Sequence, residues 1–255
     1  MTNEFDLDAI DVDGAVREAA DRAQRTVGST GAVTRQGFLR KAGVAGGAAL
    51  AGGALLSPAS ALAWGGGGRG NWQGHGGSQG RPPRAFGPGD IGILNYALTL
   101  EYLEAAFYNE ATAAGAITDP QTKLFLAVAT ADENNHVAFL QSALGSAAVA
   151  QPQFDFQGIP ENQAKFQQTA FVLENTGVHA YLGQATNIQN PAYLAAAGSI
   201  VTIEARHAAL IGDIIDDSYA GVDPNGSFDT PYTAQQVLSA VGATGFITGG
   251  LPAGA

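Results

Sequence analysis

Two Glu-x-x-His pairs, Glu133 with His136 and Glu204 with His207, are the residues most able to do chemistry in this chain. Three residues is close to one helical turn, so each pair puts a carboxylate and an imidazole on one face, aimed at a common point. Carboxylate with imidazole is a donor set suited to iron or manganese. With nine Glu and four His in 255 residues, chance supplies about 0.14 such pairs. Each pair also has a lone glutamate upstream: Glu101 lies 32 residues before Glu133, and Glu174 lies 30 before Glu204.

The elements that would position these residues are four helices arranged as two copies of one unit. The first helix is predicted to start at Asp90 as its N-cap, with Leu94, Ala97, Leu98, Glu101, Ala105 and Tyr108 on one face, and to end at Gly115. Asp119-Pro120 opens the second, a cap residue followed by proline at the first helical position. Its inner face reads Leu126, Ala129, Thr130, Glu133, His136, Val137, Leu140 and Leu144, with Thr130 able to bond back to the Leu126 carbonyl. A non-helical stretch over 145–160 follows. The third helix is expected from about Glu161 to Ala185, with Phe166, Ala170, Leu173, Glu174, Gly177 and Tyr181 inward. Asn190-Pro191 opens the fourth, whose face carries Leu194, Ala197, Ile200, Glu204, His207, Ile211 and Ile214. The copies keep register: Tyr108 and Tyr181 each follow their glutamate by seven residues, and Asp119 and Asn190 each precede theirs by fourteen. Short links make antiparallel neighbours within each pair, and the longer middle link is expected to cross over so that the pairs dock.

Four carboxylates inside a bundle are costly unless something neutralises them. Between residues 90 and 217 the only bases are Lys123, Lys165 and Arg206, none in register with the acids. Two divalent cations would cancel the four charges. Two tyrosines are expected to brace the site across the bundle, Tyr108 on Glu174 and Tyr181 on Glu101, and Asp132 is placed to accept the free ring N–H of His207. Glu104 and Glu110 are read as lying off the ligand face. Glu104 rivals Glu101, but the repeat pairs Glu101 with Glu174. His179, five residues past Glu174 and about 140° round the helix, reads as a surface or partner-contact residue.

The segment 90–217 resembles the ferritin-like superfamily of di-iron and di-manganese carboxylate proteins. Leu94-Asn95-Tyr96-Ala97-Leu98-Thr99-Leu100-Glu101-Tyr102-Leu103-Glu104 and Phe228-Asp229-Thr230-Pro231 are similar to its bacterial and plant branch that includes desiccation-related proteins. The resemblance implies an all-α, ferritin-like four-helix bundle with one crossover connection and a short extra C-terminal helix. It implies Glu101, Glu133, His136, Glu174, Glu204 and His207 as ligands to two Fe or two Mn ions, with Glu133 and Glu204 bridging. Two such metals can deliver two electrons to dioxygen or peroxide while the protein fixes geometry, potential and water access. An oxidoreductase acting on Fe(II) with O2 or on peroxide is therefore the first reading. Small residues at Ala97, Ala129, Gly177 and Ala208 leave room there for a small ligand. The alternative is a non-catalytic envelope or desiccation-related stress protein with a structural metal site. A storage cage fits an exported chain with a long linker poorly; a homo-oligomer stays open.

The remaining sequence supplies an address and a tether. Residues 1–63 hold 7 acids and 6 bases, and residues 64–255 hold 16 acids and 6 bases, within a net charge of −11. So acidic a domain disfavours nucleic acid and favours cations. The absence of Cys excludes disulfides, thiolate metal sites and cysteine nucleophiles. Thr34-Arg35-Gln36-Gly37-Phe38-Leu39-Arg40-Lys41, an Ala/Gly-rich apolar run over 42–56 and the small residues Ala59-Ser60-Ala61 follow signal-peptide order. The basic segment resembles a twin-arginine export signal with Gln36 where the second arginine falls, so the protein is expected to be exported. Residues 64–89, with His75, read as a flexible Gly-rich linker. In 218–255, Asp223-Pro224-Asn225-Gly226 is a turn rather than a calcium loop. Thr233-Ala234-Gln235-Gln236 is a capping box for a helix through about Val241. Phe228, Val237, Leu238, Val241 and Phe246 are expected to cover one bundle end, before a loose tail over 249–255.

Overall fold

A computed structural model describes residues 80–216, 219–249 and 251. The expected export segment, the linker with His75 as far as residue 79, and the tail beyond Leu251 lie outside the described residues. Within them run α1 (Gly89–Ala114), α2 (Pro120–Leu144), α3 (Gln163–Ala185), α4 (Pro191–Ile215), the single turn α5 (Tyr219–Val222) and α6 (Ala234–Thr244). Two of the helix starts follow directly from local chemistry. Asp119 accepts the Thr122 N–H at 2.8 Å and Asn190 accepts the Ala192 N–H at 2.9 Å, each with proline next in line. Gly115 ends α1 in the left-handed conformation at φ 61°. The Thr233–Gln236 capping box opens α6, which runs three residues beyond the expected Val241.

Hydrogen bonds at the helix ends fix the directions. The Thr118 and Asp119 N–H groups both donate to Gln163 Oε1 at 2.8 Å, so α2 and α3 start at the same end. Asp90 accepts the N–H of Gln189 at 3.0 Å and of Asn190 at 2.8 Å, so α1 and α4 start at the opposite end. Asp90 thus braces the start of the diagonally placed α4 instead of capping its own helix, where Pro88 holds the cap position. The third helix likewise starts later than expected, with Asn162 as its cap. Helices α1 and α2 pack together, as do α3 and α4, while α1 also meets α3 and α2 meets α4. Consequently α2 and α3 sit at diagonal corners and run the same way, and the link between them must travel the full bundle length. That link, 145–162, is the crossover expected of a ferritin-like bundle. Asn95 anchors its start, donating to the Ala147 carbonyl and accepting from the Val149 N–H, both at 2.9 Å.

The crossover and the C-terminal segment close one side together. Phe156 packs edge-on to Phe107 and to Phe246, each with centroids 5.3 Å apart, and the Asp155 N–H donates to the Phe246 carbonyl at 2.8 Å. Val237, Leu238 and Val241 are buried, and α6 lies on α3. The end of the Gly-rich stretch is tied down rather than loose: Gly80 accepts from Gln184 and from the Ala234 N–H, and Phe86 is buried. Two apolar residues face solvent against expectation. Leu194 is 43% and Phe228 74% exposed. Helix α4 is long and apolar enough to cross a membrane, yet Glu204 and His207 on it point into the bundle.

Two glycines give a paired test of this packing. A Cβ on Gly183 would strike the Tyr232 carbonyl, whereas one on Gly198 would meet nothing within 4 Å. Urea unfolding is expected to show Gly183→Ala destabilised by about 1–3 kcal/mol and Gly198→Ala stabilised by up to about 1 kcal/mol.

Candidate metal centre

The mid-points of the four helices bring all six expected residues together. Glu101, Glu133, Glu174, Glu204 and His207 are buried, and the His136 side chain is 11% exposed. His136 Nδ1 lies 3.2 Å from Glu101, 2.9 Å from Glu133 and 3.3 Å from Glu204. His207 Nδ1 lies 3.1 Å from Glu133 and 3.3 Å from Glu174. Ligand atoms of Glu101, Glu133, His136 and Glu204 fall within 4.8 Å of one another, as do those of Glu133, Glu174 and His207. Glu133 therefore stands between two clusters, each with one imidazole nitrogen.

The surrounding contacts hold these groups in place. The Tyr108 hydroxyl donates to Glu174 and the Tyr181 hydroxyl donates to Glu101. Each thus crosses between α1 and α3 to the opposite carboxylate, as the repeat predicts. His207 Nε2 lies 3.1 Å from Asp132 Oδ2, leaving Nδ1 to face the acids. Thr130 bonds back to the Leu126 carbonyl at 2.6 Å. Phe125, Phe107 and Phe166 pack round Tyr108 and His207 and keep water from that side.

Two sequence readings need correction. Glu104 is not off the face: it is 3% exposed, and its carboxylate groups with those of Glu174 and Glu204 within 4.8 Å. Glu101, Glu104 and Tyr108 follow i, i+3, i+7, a single helical stripe, and that spacing was the available signal. His179 is not at the surface either. It is 6% exposed and stacks on Tyr232 at 4.3 Å, covered by a segment some fifty residues later in the chain. Burial holds its pKa below the ordinary value despite the charge of Asp229. Glu110 is exposed, as read from the sequence.

The electrostatics show how crowded the acids are. Burial, then the Glu101 charge, pushes Glu133 up to about 8. Burial and neighbouring carboxylates push Glu204 and Glu104 well above the usual range. Glu101 is also raised by burial, but the hydrogen bond and charge of His136 outweigh this and hold it low. Burial disfavours charge on both histidines, yet the adjacent carboxylates win, raising His136 strongly and His207 to about 11. Burial and the adjacent glutamates keep Tyr108 and Tyr181 protonated as donors. Even so, Glu133 Oε1, Glu174 Oε2, Glu204 Oε1 and His207 Nδ1 are buried with only carboxylate–imidazole ion pairs at 3.1–3.3 Å, and Glu204 Oε2 has neither an ion pair nor a hydrogen bond. Lys123, Lys165 and Arg206 are all exposed. These buried atoms are oxygens and an imidazole nitrogen drawn from three helices, and that donor set fits divalent iron or manganese.

A four-helix bundle with one full-length crossover and a carboxylate–imidazole core defines a class of protein. A profile of the ferritin-like domain family matches residues 89–217, and the chain belongs to that family. Among the curated proteins compared, none matches.

The proton balance gives a pH test. Between the ordinary 4.5 and about 8, folded Glu133 keeps a proton that the unfolded chain releases. His207 acts in the same sense between 6.5 and about 11. The native state therefore binds more protons, and stability falls as pH rises. Chelator-stripped protein is expected to melt at a lower temperature at pH 8 than at pH 5.5. Protein loaded with Mn(II) is expected to show the reverse trend, because its ligands must first lose protons.

Proposed function

We propose that this bundle holds two Fe or Mn ions on Glu101, Glu133, His136, Glu174, Glu204 and His207 and works as an oxidoreductase on Fe(II) with O2, or on peroxide. The observation that carries this reading is the set of buried carboxylate and imidazole atoms, converging from α2, α3 and α4, that make no hydrogen bond and face only one another. When bound, such a pair supplies two electrons to a small oxidant. Glu133 and Glu204 are the carboxylates placed to serve both positions. Asp132 orients the His207 ring so that Nδ1 faces inward. Tyr108 and Tyr181 hold Glu174 and Glu101 by their second oxygens and stand as proton donors beside the site. The cavity next to Glu104, lined also by Gly177 and Val241, measures about 10 Å³, room for roughly one water-sized molecule.

The chain's resemblance to desiccation-related proteins supports a second reading, a stress or envelope protein in which the metals only stabilise the bundle. Its N-terminal order of basic, apolar and small residues supports export in either case. N-terminal sequencing of the protein recovered from cell fractions checks this, and an intact Met1 in the cytoplasm would end it. An outward stripe of Leu124, Val128 and Phe139 on α2 supports a homo-oligomer. Light scattering of the purified protein as a monomer would remove that idea.

Oxygen-electrode and peroxide assays separate the two functional readings. Iron- or manganese-loaded protein is expected to consume O2 with Fe(II), or to turn over peroxide, and Glu133→Ala to lower the rate at least about a hundredfold by removing a donor both positions share. Equal thermal stabilisation by Zn(II), with no turnover by any loaded form, would establish the structural reading instead.

A further inference from the structure

The two halves of the bundle correspond residue by residue: Glu101 with Glu174, Tyr108 with Tyr181, Glu133 with Glu204, and His136 with His207. The same register pairs Glu104 with Gly177, and there the correspondence breaks. One half carries a fifth buried carboxylate, 3% exposed, where the other has no side chain. The two facts fit together in space. A Cβ on residue 177 would stand 2.6 Å from Glu204 Oε2 and 3.6 Å from Glu104 Oε1. Gly177 thus keeps open the volume into which Glu104 and Glu204 reach.

We propose that Glu104 is a seventh ligand, acting on the cation held by Glu174 and His207, so that the two metal positions are chemically unequal. This rests on the dinuclear reading above. Glu104, Glu174 and Glu204 bring carboxylate oxygens within 4.8 Å of one another. Glu204 Oε2 is buried with neither a hydrogen bond nor an ion pair, while Glu204 Oε1 and Glu174 Oε2 face only a histidine nitrogen at 3.3 Å, which marks the space beside Glu204 Oε2 as a ligand position and not a self-satisfied polar cluster. Among the described residues no lysine or arginine pairs with it, Lys123, Lys165 and Arg206 being exposed, and the only cationic groups beside it are the two site histidines, 3.3 Å from Glu204 Oε1 and from Glu174 Oε2. The position with Glu101 and His136 has no equivalent of Glu104, because Gly177 occupies the corresponding place. A fifth carboxylate also changes the charge that suits the site. Four balance two divalent ions; five balance one divalent and one trivalent ion. That selects metals with an accessible trivalent state, iron and manganese, over zinc.

Glu104→Gln in the full chain is the test, because glutamine keeps the shape and a neutral acid's hydrogen-bonding capacity but loses the charge. Mn(II) titration followed by calorimetry is expected to show two sites in the unaltered protein. In Glu104→Gln one site should weaken by about tenfold or more while the other is unchanged, and the reduction potential of the metal-loaded protein should rise. Glu110→Gln, at an exposed position, should match the unaltered chain. A crystal structure of the Mn-loaded protein should place a Glu104 oxygen in the coordination shell. Two sites of unchanged affinity and an unchanged potential in Glu104→Gln would overturn the seventh-ligand assignment and leave the dinuclear reading standing. An unaltered protein that binds neither Mn(II) nor Fe(II) would overturn both. Circular dichroism matching the unaltered protein confirms that a lost site is not a lost fold.

Discussion

Negative charge packed into a dry core is the constraint around which this bundle is organised. Glu101, Glu104, Glu133, Glu174 and Glu204 are all buried, and each ionised carboxylate out of water costs several kcal/mol unless a cation meets it. The two histidines meet part of that charge, and two tyrosine hydroxyls hold two of the oxygens. Glu204 Oε2 is left with neither a hydrogen bond nor an ion pair. Among the described residues Lys123, Lys165 and Arg206 lie exposed, and the clustered carboxylates and imidazoles could hold a metal ion.

The architecture serves that arrangement. For glutamates on α1 and α3 to face Glu-x-x-His pairs on α2 and α4, the helix mid-points must converge with the repeated units related by an approximate two-fold axis. The diagonal, full-length crossover achieves this, because it returns the chain to the end where α2 began. Tyr108 and Tyr181 then reach opposite carboxylates by the same geometry. Asp90 and Gln163, at opposite ends, each tie a helix start to that of the diagonally placed helix and so fix the register in which the site residues meet.

Much of this was legible in the sequence because it is local or repeated. Helix register alone aligns Glu133 with His136, and proline after Asp119 or Asn190 marks a start. The repeat made the cross-bundle tyrosine contacts legible too. What escaped was set by distant chain. His179 is buried by residues that arrive some fifty positions later, and Asp90 is drawn from capping its own helix to the start of α4. Phe228 and Leu194 are apolar yet exposed, which periodicity does not reveal. Glu104 shows the limit of the repeat: it pairs Glu101 with Glu174, and it says nothing of a carboxylate whose counterpart in the other half is Gly177.

The metal-to-chain ratio of protein purified from the organism that makes it bears most directly on whether cations hold this core. Elemental analysis should find close to two Fe or Mn per chain, as expected for a ferritin-like site of this ligand set. A stably folded, fully helical protein carrying no metal would contradict it, and would mean that protons alone keep five buried carboxylates compatible with the fold.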